Sequence, residues 1–209
     1  MSSREDQSNS FLNSESLDDN FFISIVEKKL QISRDQFKLR LVFISSAAGK
    51  NENFISVVYR AKINIELIEN NQRQFVDVII KAMLSTLPEI KEWSVFPREQ
   101  FMYEGIIGEF EKTWKERANE TICFGPSCIK IVTEPYEIIV LDDLKAEGYA
   151  MMNRKIGCDE IQTKLVLDKL ARFHAASAVR YQKVGCLLNY LIFASYAFII
   201  LGWHSKILS

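Results

Sequence analysis

VDVIIKAMLSTLPEIKEWSVFPREQFMYEGIIGEFEKTW, residues 76–114, changes its periodicity part-way along. With Phe75 in front, its first part reads FVDVIIKAM, a buried strand that carries one cation, Lys81. From Phe96 the spacing becomes helical: Phe96, Tyr103, Ile107, Phe110 and Trp114 recur at intervals of three, four or seven and share one face. Glu99 falls on that face, one turn before Tyr103. A carboxylate on an apolar stripe is costly to desolvate unless a cation meets it. Lys81 is the nearest candidate within a hydrophobic segment. The alternative at this point is an amphipathic helix whose Glu99 sits at the solvent edge of the stripe.

A strand lysine paired with a helix glutamate is the arrangement that holds ATP phosphates in kinase-like folds. The segments before residue 75 bear on which reading applies. FFISIVEKKL (residues 21–30) is a short helix that Asn20 can cap, with Phe22, Ile25, Val26 and Lys29 as its docking face. FKLRLVFIS follows as a strand and ends in the turn-forming cluster SAAGKNENF. Beyond it, Ile55, Val57, Tyr59, Ala61, Ile63 and Ile65 alternate with Ser56, Arg60, Lys62 and Asn64, the period-two pattern of a strand. The polar run 69–74 then turns the chain into the strand bearing Lys81, making a hairpin. The order is strand, glycine turn, strand, polar turn, lysine strand, glutamate helix.

After that helix, SCIKIVT and EIIVLDDL form two short strands, the second ending in Asp142 and Asp143. KAEGYAMMNRKIG reads as a loop bounded by glycines, and Asp159 can cap a helix over residues 160–183. Ile161, Leu165, Val166, Leu170, Phe173 and Ala176 make a broad core-facing stripe on it. His174, beside Phe173, is expected to be a packed, hydrogen-bonded core histidine rather than a catalytic group.

Composition narrows the options. The chain has 209 residues, 48% hydrophobic and 25% charged, with a net charge of -1. It can bury one sizeable core, and it offers no overall electrostatic case for nucleic acid or acidic membranes. Cys123, Cys128, Cys158 and Cys186 are scattered and complete no zinc set, so reduced cytosolic thiols are expected. The serine-rich start has no apolar core of a signal peptide, and Ser2 excludes myristoylation. A cytoplasmic protein is the expectation.

Five segments in register, GKNENFISVVYR (49–60), VIIKAM (78–83), FPREQFMY (96–103), IVLDDLKAEGY (139–149) and LARFHAAS (170–177), resemble the insect ecdysteroid-kinase-like proteins. These are also called CHK-kinase-like or juvenile-hormone-inducible proteins and are relatives of choline and aminoglycoside kinases. The likeness runs over roughly residues 20–182. It implies an α+β protein-kinase-like fold: an N-terminal lobe of antiparallel sheet plus helix, a hinge, and the first part of a helical C-terminal lobe. It also implies transfer of the ATP γ-phosphoryl group to a small-molecule alcohol, with Mg²⁺ as the family's metal. By the same likeness, Gly49, Asn51, Asn53 and Ser56 would form the loop over the phosphates, Lys81 would bind them, and Glu99 would orient Lys81. Leu141, Asp142 and Leu144 would form the hinge whose backbone meets adenine. Two departures stand out: Lys50 where the family usually has aspartate, and LDDL where it usually has LEDL.

The same comparison implies a missing part. Such transfer needs an aspartate to accept the hydroxyl proton and carboxylate and amide ligands for Mg²⁺, which the family places after the LARFHAAS helix. Here nothing from Lys169 to Ser209 is Asp or Glu. No catalytic base and no metal ligand are therefore assigned, and an inactive, truncated kinase-like chain is expected. In place of the rest of the lobe, Cys186 to Trp203 is an 18-residue charge-free run interrupted by Asn189 and Ser195. As a helix it would be about 27 Å long, at the short edge of a bilayer core. Three readings stay open: a tail from an alternative exon or mistaken gene structure, a membrane anchor, or a helix packed back on the lobe. The expected organisation is a leader over 1–19, the N-terminal lobe over 20–141, hinge and C-lobe start over 142–185, and the divergent tail over 186–209. The alternative to a kinase-like role is a non-catalytic module that binds nucleotide or a partner.

Overall fold

The computed structural model describes residues 17–47, 56–83, 95–134, 136–151, 156–184 and 204–206. Two compact units account for the chain, one made of residues 1–96 and 127–143, the other of 97–126 and 144–209.

The first unit is a helix laid on an antiparallel sheet. Helix α1 (Asp19–Leu30) leads through a short 3-10 turn to β1 (Phe37–Ser46), β2 (Ser56–Leu67) and β3 (Arg73–Met83). Strands β4 (Cys128–Val132) and β5 (Ile138–Asp142) complete it in the order β1-β2-β3-β5-β4. The expected alternation in β2 is realised: Tyr59, Ala61, Ile63 and Ile65 are buried, opposite Val76, Val78 and Ile80 of β3. These side chains pack on Phe21, Phe22, Ile25 and Val26 of α1 in one core. The β2–β3 connection is polar as expected, with Asn71 in the left-handed region and the Gln72 amide donating to Asn70 Oδ1 at 2.9 Å.

The cap of α1 is a correction to the sequence reading. Asp18, not Asn20, ends the helix: its Oδ1 accepts from the Phe21 amide at 2.7 Å, and Asn20 lies inside the first turn. Both residue types cap well, so local propensity does not choose between neighbours two apart. That amide bond is the main cause holding the Asp18 carboxyl below its ordinary value of 3.8. A depressed folded value means that stability is present above the unfolded value and lost as pH falls through the folded one. Asp18→Ala is therefore expected to lower the melting temperature at neutral pH. The gap to wild type should close once the pH is below the folded value, as paired thermal melts would record.

Helix α2 (Val95–Phe101), which belongs to the second unit from Pro97 onward, runs through a π turn, Met102–Ile106, into α3 (Ile107–Ala118). The sequence predicted one regular helix. A π turn adds a residue to the repeat, so the buried positions advance from Met102 to Ile106, Ile107 and Phe110, while Tyr103 and Trp114 are only half-buried. After β6 (Tyr149–Met151), Asp159 caps α4 (Glu160–Val184). Its Oδ1 accepts from the Gln162 amide at 2.8 Å and its own amide donates back to Gln162 Oε1 at 3.1 Å, a capping box. Gly148 and Gly157, at φ 88° and 78°, take up left-handed backbone that glycine adopts without a steric cost; the stretch expected to be loop throughout contains β6 directly after Gly148. Residues of β7 (His204–Lys206) pair antiparallel with β6.

The core of this unit joins Met102, Ile106, Ile107, Phe110, Phe124, Phe173 and Ala176. Around it, Trp114 Nε1 donates to the Arg172 carbonyl at 3.0 Å and Arg180 Nε donates to Glu109 Oε2 at 2.9 Å. The α4 stripe is narrower than expected. Phe173 and Ala176 are buried and Val166 and Leu170 half-buried, but Ile161 and Leu165 are 73% and 53% exposed. His174 is exposed as well, which overturns the expected core histidine. The next residue on a helix lies about 100° round, so Phe173 at the centre of the buried face turns His174 out of it. Among the described residues, no helix is long and apolar enough to cross a membrane. The apolar run 186–203 and residues 1–16 of the expected 1–19 leader lie outside the described residues.

Candidate functional site

Ser56, Lys81 and Leu141 come from three strands of the first unit and fall on one sheet face. Successive strand residues point to opposite sides. Ile80 packs into the core beneath α1, so Lys81 faces the other way. Its register partners are Val58 on β2 and Ile139 on β5. Ser56, in register with Met83, lies two residues from Val58, which makes it a diagonal neighbour of Lys81 at about 7 Å. Leu141 lies two residues beyond Ile139 on the same face, opposite Ile79. Lys81 is half-buried and Ser56 is buried, so the cation stands where water is partly excluded. Gly49, Asn51 and Asn53 lie outside the described residues.

Glu99 belongs to α2 in the second unit and is only 7% exposed. The solvent-edge alternative for this residue is therefore set aside. A carboxylate this deep needs a cation or hydrogen-bond donors to offset its desolvation.

The hinge candidates divide by unit. Leu141 lies in β5, between β3 and β4, with a register partner on each side. The Asp142 amide donates to the Ser127 carbonyl at 3.1 Å. Asp142 is in register with Val78, on the α1 face, and its side chain takes Lys29 of α1 as partner: Lys29 Nζ is 2.7 Å from Asp142 Oδ1. The same ammonium donates to the Asp77 carbonyl at 3.0 Å. Asp143, only 4% exposed, accepts both Nε and Nη2 of Arg60, the latter at 3.2 Å. Leu144 opens the next stretch of the second unit and is buried; its carbonyl accepts from the Glu147 and Tyr149 amides at 3.1 and 3.0 Å.

Lys29 and Arg60 are residues that the sequence reading did not connect to this site. One signal was present: Lys29 sits on the same helix face as Phe22, Ile25 and Val26, where an unpaired ammonium is disfavoured. Nothing local could name its partner, 113 residues away.

Among the described residues, no group of three or more His, Cys, Asp or Glu side chains could hold a metal ion. Comparison with known proteins finds no match among curated proteins or among solved structures. One family model does match, over residues 50–194, and its description is the ecdysteroid kinase-like family.

Proposed function

The chain belongs to the ecdysteroid kinase-like family, and we propose that it is a nucleotide-binding, kinase-like protein whose ATP site is built on the Lys81 face of the sheet. The supporting observation is the common placement of Ser56, Lys81 and Leu141 on that face. In this reading Lys81 meets the ATP phosphates as a point charge. Glu99 is the candidate for the orienting carboxylate that kinases use. Gly49, Asn51, Asn53 and Ser56 cover the phosphates with backbone amides, and the backbone over Leu141, Asp142 and Leu144 receives adenine. The acceptor is a small-molecule alcohol of the ecdysteroid or choline type.

We infer further that the 209-residue chain does not itself complete transfer. Proton removal from the alcohol needs a carboxylate near the acceptor, and the 41 residues from Lys169 to Ser209 contain none. A cytoplasmic setting, in which its thiols would stay reduced, accompanies this reading.

The test uses the purified chain. ATP is expected to raise its melting temperature saturably, with no γ-phosphate appearing on ecdysteroid or choline-type alcohols. No shift with ATP would defeat nucleotide binding; a phosphorylated alcohol would defeat the inactive assignment. A second reading, partner binding, is favoured by the exposed Ile161, Leu165 and Leu167 on α4. It predicts complex formation that a Leu165→Asp substitution abolishes, with ATP having no effect.

A further inference from the structure

We propose that Lys29 and Arg60 are positioning residues for the adenine end of the nucleotide, clamping Asp142 and Asp143 from opposite faces of the sheet. The proposal rests on the nucleotide-binding reading above and assigns it two residues that act through the aspartates they hold.

The two aspartates are the last residues of the first unit before the chain passes into the second. Adjacent residues of an extended segment project to opposite sides, so one cation cannot hold both. Two are supplied. Lys29 reaches Asp142 from α1 at 2.7 Å and ties the same ammonium to the β3 backbone at the Asp77 carbonyl. Arg60 reaches Asp143 from β2 with a two-pronged guanidinium, a planar fork that fixes orientation as well as distance. The Ser127 carbonyl holds the Asp142 amide. The exit of β5 is thus tied to α1, β2, β3 and the segment entering β4.

A surface ion pair would carry little weight. These pairs are part-buried, and Asp143 is almost wholly so. Removing one cation leaves a desolvated carboxylate that relaxes by moving toward water, and the moving atoms are those of the crossing backbone. A hinge that is competent only part of the time weakens binding in proportion to that fraction.

The experiment measures dissociation constants for ATP and for adenosine, with melting temperatures taken without nucleotide, on the whole chain. Variants are Lys29→Met, Arg60→Leu and Arg60→Lys, with Lys81→Ala as comparison. Lys29→Met and Arg60→Leu are expected to weaken ATP and adenosine equally, by about tenfold, the result of a competent fraction near a tenth. Lys81→Ala should weaken ATP and leave adenosine unchanged, because adenosine carries no phosphate. Arg60→Lys keeps the charge but loses the fork; it should fold as wild type and still weaken both ligands. If the clamp variants lower the melting temperature with both constants unchanged, the pairs are structural and the proposal is overturned. Unchanged binding in folded Arg60→Lys overturns the role of the fork. Wild type that binds neither ligand defeats the nucleotide reading instead.

Discussion

On the nucleotide-binding reading, Lys81→Ala is expected to remove nearly all of the thermal stabilisation that ATP confers, the shift being taken against the same variant without nucleotide. Lys81 is half-buried at an interior position of β3, in register with Val58 and Ile139. A charge-assisted contact to phosphate in such a setting contributes about 1.5–3 kcal/mol, or about ten- to a hundredfold in dissociation constant. Ligand at a hundred times its dissociation constant stabilises a fold by about 2.7 kcal/mol, and a hundredfold weaker site at the same concentration by about 0.4 kcal/mol. The ATP-induced shift should therefore collapse toward the baseline. Lys81→Arg is the informative partner variant, since it keeps the charge but replaces a compact ammonium with a planar fork. An unaltered ATP shift in Lys81→Ala would remove the residue from the site and with it the central support for a kinase-like pocket.

Phe173→Ala should be the most destabilising single truncation in the second unit, by about 3–5 kcal/mol. The ring is 1% exposed and meets Phe110 and Phe124 edge-on at centroid distances of 4.9 and 5.4 Å. Its removal costs the transfer of a large apolar group, leaves a cavity, and breaks two edge-to-face contacts. Domains of this kind have about 5–15 kcal/mol of stability in all, so one substitution takes a large share. His174→Ala, one residue along, should fall within about 0.5 kcal/mol of wild type because that side chain is exposed. Denaturant melts of the two variants decide it. Comparable losses, or a larger one at His174, would contradict the packing described for α4.

The first unit was legible because its strands announce themselves locally. Alternation through Tyr59, Ala61, Ile63 and Ile65 specifies both a strand and its buried side. The same pattern placed Lys81 within a strand, and the docking face of α1 followed from the spacing of Phe22, Ile25 and Val26. Elsewhere the local signal was ambiguous. Asp18 and Asn20 are equivalent caps by type. The π turn at Met102–Ile106 breaks no propensity rule and left the helix looking regular. Apolar spacing on α4 could not distinguish Phe173, which has a neighbouring helix to pack on, from Ile161 and Leu165, which are exposed.

What residue order alone determined here is which side chains share a strand face or a helix stripe, because those periods are properties of the backbone. Which charges meet was left to the tertiary structure. The sheet order β1-β2-β3-β5-β4 puts β5 beside β3 and under α1, so Lys29 finds Asp142 and Arg60 finds Asp143 across 113 and 83 residues. A carboxylate's partner is chosen by distance in space, and only the folded chain sets that distance.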